Sequence, residues 1–453
     1  MAVCALASAR VRDGAASPSV GSPGTPNWSS EAFYAAAQSA VPKDLSSARG
    51  IDYMRTFALL ALYGIQSGRI DDMQLNKGIY HALVSVERLY DESAWPEGAG
   101  LVETEERRRL FWSMYTLDVF STIVWGGIIH WREAQVRVSY PGEIDDEWFS
   151  DTGIHITTTI APQASNDLPS LVSRLSGSSS SWLRGWNFTT DLYRILEHVM
   201  DQYHRLKGRS ASLPAVTDLF TSDTPPQTKI QDHVMALYNQ LPQRFKETPE
   251  IQVDASEDRF NFQAANITAT LQLVRMVLFT TGHSSVEQKC LLAGELLANI
   301  ATVPVRYLRA ISSPLLHHLA CIGSVLGSAI EGRLTEPSYL QIRAVLLDMA
   351  DLLDKLEVGL SHSTGTSDRL RSIIFGIDQY MRTEGQPQQV PDNPSQQFVP
   401  GYSDYSVNSV LQGQQSIPET EPAQIQNGNV GFELPMELLA DWPWSSEFNQ
   451  FAM

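Results

Sequence analysis

The sequence predicts an all-α fold: a multi-helix domain followed by a C-terminal tail of different character. Three observations carry this expectation. Apolar residues recur at three- and four-residue intervals through most of the first 382 positions, alternating strand-like runs are scarce, and nothing supplies the repeated strand and crossover-helix units of a parallel sheet. The predicted layout is a short helix within residues 1–16, a Ser/Pro/Gly-rich loop at 17–30, a helical domain over 31–382 with a Ser-rich internal linker near 164–181, and a tail over 383–453.

The helices follow in order. Ile51, Met54, Ala58, Leu59, Leu62 and Ile65 keep the helical period, and Gly68 closes the run. Asp71 and Asp72 open the next helix, their carboxylates complementing its positive N-terminal dipole, with Leu75, Ile79, Leu83, Val86 and Leu89 expected on its inner stripe. A third helix starts near Thr104 with Glu105 and Glu106 in its first turn. There Glu103→Arg107 and Glu105→Arg109 form four-residue ion-pair spacings. Beyond Leu110 this helix is apolar nearly all round. After Gly126 and Gly127 the run Val136 to Pro141 is expected to be extended. Helical patterning returns over Leu183 to Leu206, Asn261 to Thr280, 286–303, 314–330 and 337–358.

Leu110 to Ile129 is the one stretch that invites a membrane reading. Its Leu, Ile, Phe and Val residues contribute roughly −3 to −5 kcal/mol of insertion energy, while Asp118 costs about +3 and the Ser, Thr and Gly residues add more. The sum does not favour insertion, and a buried helix of a bundle is the expectation.

Charge and cysteine content narrow the function classes. With 33 Lys+Arg against 51 Asp+Glu and a net charge of −18, the chain lacks the dense basic face that phosphate backbones require. Cys4, Cys290 and Cys321 can build neither a disulfide framework nor a four-cysteine zinc site. No catalytic motif stands out. Ser324 in Gly323-Ser324-Val325-Leu326-Gly327 is misplaced for a nucleophile elbow. His317, His318 and Cys321 share one helical turn without a second ligand cluster, and Glu197-His198 with Asp201 and His204 is a carboxylate–histidine spacing present once where a di-metal bundle needs it twice. The expectation is a chain with no catalytic residues and no metal ligands.

The tail differs in kind. From Thr383 to Met453 there is no Lys or Arg but nine acidic residues, half of the whole net charge. Gln, Asn, Ser and Pro dominate its first half, a composition that cannot bury enough apolar surface to fold alone. Near its end Phe432, Leu434, Leu438, Leu439, Trp442, Trp444 and Phe448 are mixed with Glu433, Glu437, Asp441 and Glu447. Interleaved acidic and aromatic residues are the composition of an activation segment, where charge keeps the apolar groups solvated and available to a partner's groove. A tail folded back on its own domain is the alternative.

The run Glu105-Glu106-Arg107-Arg108-Arg109-Leu110-Phe111-Trp112-Ser113-Met114-Tyr115-Thr116-Leu117-Asp118 resembles the central signature of the fungal-specific transcription factor domain, the middle homology region of zinc binuclear cluster regulators. Phe33 to Ala37, Leu59 to Tyr63 with Ser67-Gly68-Arg69, the helix Gly78 to Tyr90, and Gly126-Gly127 before Trp131-Arg132-Glu133 fall in the order of that family. The resemblance is strongest over 31–150 and looser over 180–380. It implies a nuclear regulator of DNA-templated transcription in a fungus, not an enzyme. Its signature residues would be Glu106, Arg107, Arg108, Arg109, Phe111, Trp112, Tyr115 and Asp118, serving structure rather than chemistry. Implied partners are transcription machinery or co-regulators, a second copy or a related regulator, and a small-molecule effector held between helices. The family binds DNA through an N-terminal six-cysteine, two-zinc module that this sequence does not contain, so no zinc cofactor and only indirect DNA contact are expected of it. This implies either a DNA reader encoded upstream of Met1 or a truncated paralogue that acts as a non-DNA-binding scaffold or dominant-negative partner of full-length relatives.

Overall fold

The computed structural model describes residues 1–14, 29–154, 181–208, 226–248, 255–280, 285–311, 315, 316, 319, 322, 323, 326, 327, 330, 334–358 and 365–384. Its elements are helices α1 (Ala2–Arg12), α2 (Ser30–Ala40), α3 (Ile51–Gln66), α4 (Ile70–Glu87), α5 (Leu101–Trp125), α6 (Trp182–Gly208), α7 (Gln227–Gln240), α8 (Ala255–Thr280), α9 (Val286–Ala301), α10 (Val305–Ile311), α11 (Glu336–Glu357) and α12 (Thr366–Glu384). The only sheet among the described residues is a two-residue antiparallel pair, Phe149–Ser150 with Gly153–Ile154. The fold is all-α, as the periodicity predicts.

Local chemistry sets the ends of these helices. Ser29 accepts from the Ala32 amide to cap α2, Ser285 and Gln288 form a reciprocal capping box at α9, and the Thr335 side chain accepts from the Ser338 amide ahead of α11. Gly126 and Gly127, at φ 75° and 112°, stop α5 in a backbone region that other residues rarely adopt.

Helix α3 lies in the middle of the N-terminal half. One side packs with α1 and α2 around Ala5, Ala9, Tyr34, Leu60 and Tyr63, where the Tyr34 and Tyr63 rings stack at 4.5 Å. The other side packs closely on α4. At that crossing a Cβ on Gly64 would come within 2.8 Å of the Met73 amide nitrogen, so only glycine lets the two backbones meet. A similar contact joins α6 to α8 in the second half, where a Cβ on Gly185 would meet Gln263 and Phe245 at 2.6 and 2.7 Å. One continuous core then runs from Met54 and Phe111 through Leu192 and Val274 to Leu346 and Ile377.

Several sequence expectations shift. Helix α5 starts three residues before Thr104 and ends at Trp125. The run 286–303 corresponds to α9, which stops at Ala301, and a further short helix, α10, follows Pro304. Helices α7 and α12 lie outside the predicted runs, although Leu370, Ile373, Ile374 and Ile377 of α12 keep the helical period and are buried. The inner stripe of α4 is corrected in part: Leu83 and Leu89 are buried as expected, Leu75 and Val86 are exposed, and the buried face also carries Met73, Asn76, Lys77, Tyr80, His81 and Val84. Two of those inward positions are basic, for a reason given below.

Among the described residues no single helix is long and apolar enough to cross a membrane. Helices α9 and α10 pass that test only together, bent by 106°, on length and composition. The loop at 17–30, the Ser-rich linker, the His317/His318/Cys321 triplet and the tail with Phe432 to Phe448 fall wholly or almost wholly outside the described residues.

Candidate functional site

The signature helix α5 holds its neighbours through three successive polar layers. In the first, Arg107 pairs with Glu103 at 2.6 Å, as the four-residue spacing predicts, and its guanidinium lies over the Trp95 ring. Arg108 makes a two-pronged contact with Glu92 at 2.8 and 2.9 Å and a third with Glu105 at 2.9 Å. Both acids also accept a backbone amide from the segment after α5: Glu92 from Ser139 at 2.7 Å, Glu105 from Gly142 at 2.8 Å. Partial burial opposes ionisation of Glu92, but Arg108 and the Ser139 amide outweigh it and hold its pKa below the usual carboxylate range. Arg109 does not pair with Glu105 as its spacing suggests. It reaches Asp146 at 2.7 Å, because Arg108 and Gly142 already use the Glu105 oxygens. Glu106 turns the other way and joins Arg55 of α3 at 2.5 Å.

The second layer is aromatic. Phe111 is buried and meets the Trp112 ring edge-on. Trp112 donates from Nε1 to the Ser139 carbonyl at 3.0 Å and packs edge-on against Tyr115 and Tyr140. The Tyr115 hydroxyl donates to the buried Glu197 carboxylate of α6 at 2.5 Å, and the Glu133 amide donates to the same oxygen at 3.2 Å. Burial, then the Glu197 charge, push the Tyr115 pKa far up, so it remains a donor. Around this pair Arg194 bonds Glu133, Tyr140 and Asp191, His198 bonds Glu133, and Arg132 pairs with Asp201. Glu197, His198 and Asp201 are thus engaged by residues of α5 or the segment after it: Tyr115, the Glu133 amide and Arg132 for Glu197, the Glu133 carboxylate for His198, and Arg132 for Asp201.

The third layer surrounds Asp118, 1% exposed on the inward face of α5. Its Oδ2 accepts the His130 amide at 2.6 Å; its Oδ1 faces the His130 Nδ1 at 3.0 Å and the Lys77 ammonium at 3.1 Å. Lys77, 3% exposed, also donates to Ser121 Oγ at 2.6 Å. His81 Nε2 lies 3.5 Å from the same Oδ1, and neither of its ring nitrogens has a hydrogen-bond partner among the described residues. The His81 and His130 rings stack at 4.2 Å. Burial raises the cost of ionising Asp118, yet its histidine and lysine neighbours prevail and hold its pKa far below the carboxylate range. His81 moves down because burial disfavours its charged form more than Asp118 favours it.

This answers why α4 turns Lys77 and His81 inward. A buried carboxylate needs a cation and donors, and α4 supplies them at positions one turn apart. The predicted inner stripe leaves Lys77 and His81 out, and no signal short of pairing them with Asp118 would have placed them inside.

The ligand atoms of His81, Asp118 and His130 lie within 4.8 Å of one another, close enough to share a metal ion. The chemistry of the group points elsewhere. Lys77 already places a positive charge on the single carboxylate, so a divalent cation would leave two uncompensated charges in a buried site. The stacked rings, 15° from parallel, also hold their lone pairs in separate, near-parallel planes instead of aiming them at one point. The arrangement is a hydrogen-bonded ion-pair cluster.

All three layers converge on one segment. Residues 130–142 are held by Asp118, Trp112, Glu105, Glu92 and Glu197, and the expected extended run makes a short parallel bridge in which Arg137 donates to Tyr90 O and Glu92 donates to Arg137 O. The helical scaffold commits most of these polar side chains to holding one segment. The chain belongs to the fungal specific transcription factor domain family, whose model matches residues 5–259, more than half its length. No curated protein and no solved structure matches it.

Proposed function

We propose that this protein is a nuclear regulator of transcription of the zinc-cluster type, acting without catalysis through its helical domain and its acidic, aromatic C-terminal tail. The observation that carries the reading is the family match across residues 5–259, on the same stretch in which Glu106, Arg107, Arg108, Arg109, Phe111, Trp112, Tyr115 and Asp118 spend their polar atoms or ring edges on neighbouring elements. In this role the domain needs no metal at Asp118 and presents a shaped surface to co-regulators, to a related regulator, or to a small effector between its helices. The tail supports the reading by composition: nine acids, no bases, and Phe432, Leu434, Leu438, Leu439, Trp442, Trp444 and Phe448 spread between charges. A scaffold or dominant-negative role, pairing with relatives that contact DNA, uses the same domain with a silent tail.

Fusion of residues 383–453 to a heterologous DNA-binding domain separates the two. Reporter activation that disappears when Trp442, Trp444 and Phe448 become alanine supports the activator. No activation by the intact tail removes its assigned role and leaves the scaffold.

A further inference from the structure

Helix α4 has two faces of opposite logic. The inner one is consumed by α3 and by the Asp118 cluster. On the outer one Asp71, Leu75, Gly78, Ala82 and Val86 follow at helical spacing, all exposed, with Leu75 at 64% and Val86 at 54%. Gly78 has no explanation in the protein's own packing. Glycine inside a helix is less stable than alanine, and a Cβ built at Gly78 meets nothing within 4 Å, in contrast to Gly64 one helix away.

We propose that this face docks a second copy of the chain, α4 against α4, antiparallel about a two-fold axis level with Tyr80. The face is its own complement when reversed. Leu75 of each copy comes level with Val86 of the other, Gly78 with Ala82, and Asp71 with Arg88. The small pair in the centre lets the helix axes approach at the short end of the ~8–10 Å packing range, while the larger side chains close over the ends. Charge complementarity selects this occupant. Asp71 makes no ion pair among the described residues, and Arg88, 57% exposed at the left-handed C-cap, holds only Asp91 at 3.3 Å. An antiparallel arrangement also sets each helix N-terminus against the other's C-terminus, whereas a parallel one would place Asp71 and Asp72 against their own copies. At 18 residues α4 is about 27 Å long. A contact of one helix face falls at the small end of specific interfaces, so the dimer is expected to be weak and reversible.

The proposal gives a surface to the pairing role stated above and rests on it only for biological meaning. Its test is physical association, so a failed reporter assay and a failed dimer are separate results. Sedimentation equilibrium of the purified full chain, spanning about 1 to 200 μM, is expected to show monomer and dimer in exchange. Gly78→Leu fills open space in the monomer, so it should keep or raise the melting temperature while raising the dissociation constant at least ~10-fold. Leu75→Asp should do the same to the dissociation constant, and Leu291→Asp, on an exposed leucine of α9, should leave it unchanged. Asp71→Arg alone should weaken the dimer, and adding Arg88→Asp should restore it. A chain monomeric over the whole range overturns the proposal, as does a dimer indifferent to Gly78→Leu or a charge reversal that the second swap fails to rescue.

Discussion

Replacing Asp118 with asparagine tests the reasoning about the inner face of α4 most sharply. The substitution keeps size and shape and one acceptor oxygen, but removes the charge that compensates Lys77, buried at 3.1 Å, and turns an amide donor toward groups that are themselves donors: the His130 amide at 2.6 Å or the Lys77 ammonium. Removing one member of a buried pair typically costs about 3–5 kcal/mol, because the remaining charge has no counter-ion. At roughly 2 °C per kcal/mol for a large domain, the melting temperature should fall by about 6–10 °C. Lys77→Met on its own should cost a similar amount by stranding the carboxylate. The double variant, with neither charge, should recover a large part of the loss, giving a coupling of at least ~2 kcal/mol in a double-mutant cycle. Chemical denaturation of the four proteins measures this directly. Additive losses, or an Asp118→Asn cost under ~1 kcal/mol, would refute the account of why α4 presents a lysine and a histidine to the core.

Other outcomes follow from the same geometry. Because His81 has a folded pKa below its unfolded value, the unfolded chain binds the extra proton first; its stabilising contribution is complete above about pH 6.5 and is lost as pH falls toward the lowered folded pKa. Stability should therefore decline as the pH falls below about 7, and His81→Gln, still facing Asp118, Lys77 and His130, should flatten that slope in pH-dependent denaturation. Asp118, whose folded pKa is depressed, contributes stability present above about pH 4 and lost only in stronger acid, so the two residues separate by pH window. Tyr115→Phe leaves the buried Glu197 carboxylate without its 2.5 Å donor and should cost roughly 1.5–3 kcal/mol, read by the same denaturation. Gly→Ala should change sign between two positions: at Gly64 the new methyl meets the Met73 amide and should destabilise by about 1–3 kcal/mol, while at Gly78 it should stabilise the monomer by about 0.5–1 kcal/mol. Calorimetry of the pair tests this.

The helices of the fold are legible wherever apolar period and end signals agree, as in α3 between Ile51 and Gly68, and in α11 with its Thr335 cap. Helix α7 is harder to read, with Val234 its one fully buried apolar residue, whereas α12 carries a helical period at Leu370, Ile373, Ile374 and Ile377 that the predicted runs leave out. The signature's role is legible only in part. Glu103 and Arg107 meet as their spacing demands, since a four-residue pair is local. Arg109 and Asp146, Tyr115 and Glu197, and Asp118 and Lys77 join residues 37 to 82 positions apart or on separate helices, and one-dimensional spacing carries no record of such pairs. The α4 stripe is legible in part for a related reason. Hydrophobicity places Leu83 and Leu89 inward correctly but also Leu75 and Val86, whereas Lys77 and His81 turn in beside Asp118.

The central claim is that the chain regulates transcription through a non-catalytic helical domain and an acidic tail. Tethering the full chain to a reporter promoter through a heterologous DNA-binding domain, with and without residues 383–453, tests it directly. The account predicts altered reporter output that depends on the tail and shifts when the domain is destabilised by Asp118→Asn. Unchanged output from a chain demonstrably bound at the promoter would contradict it.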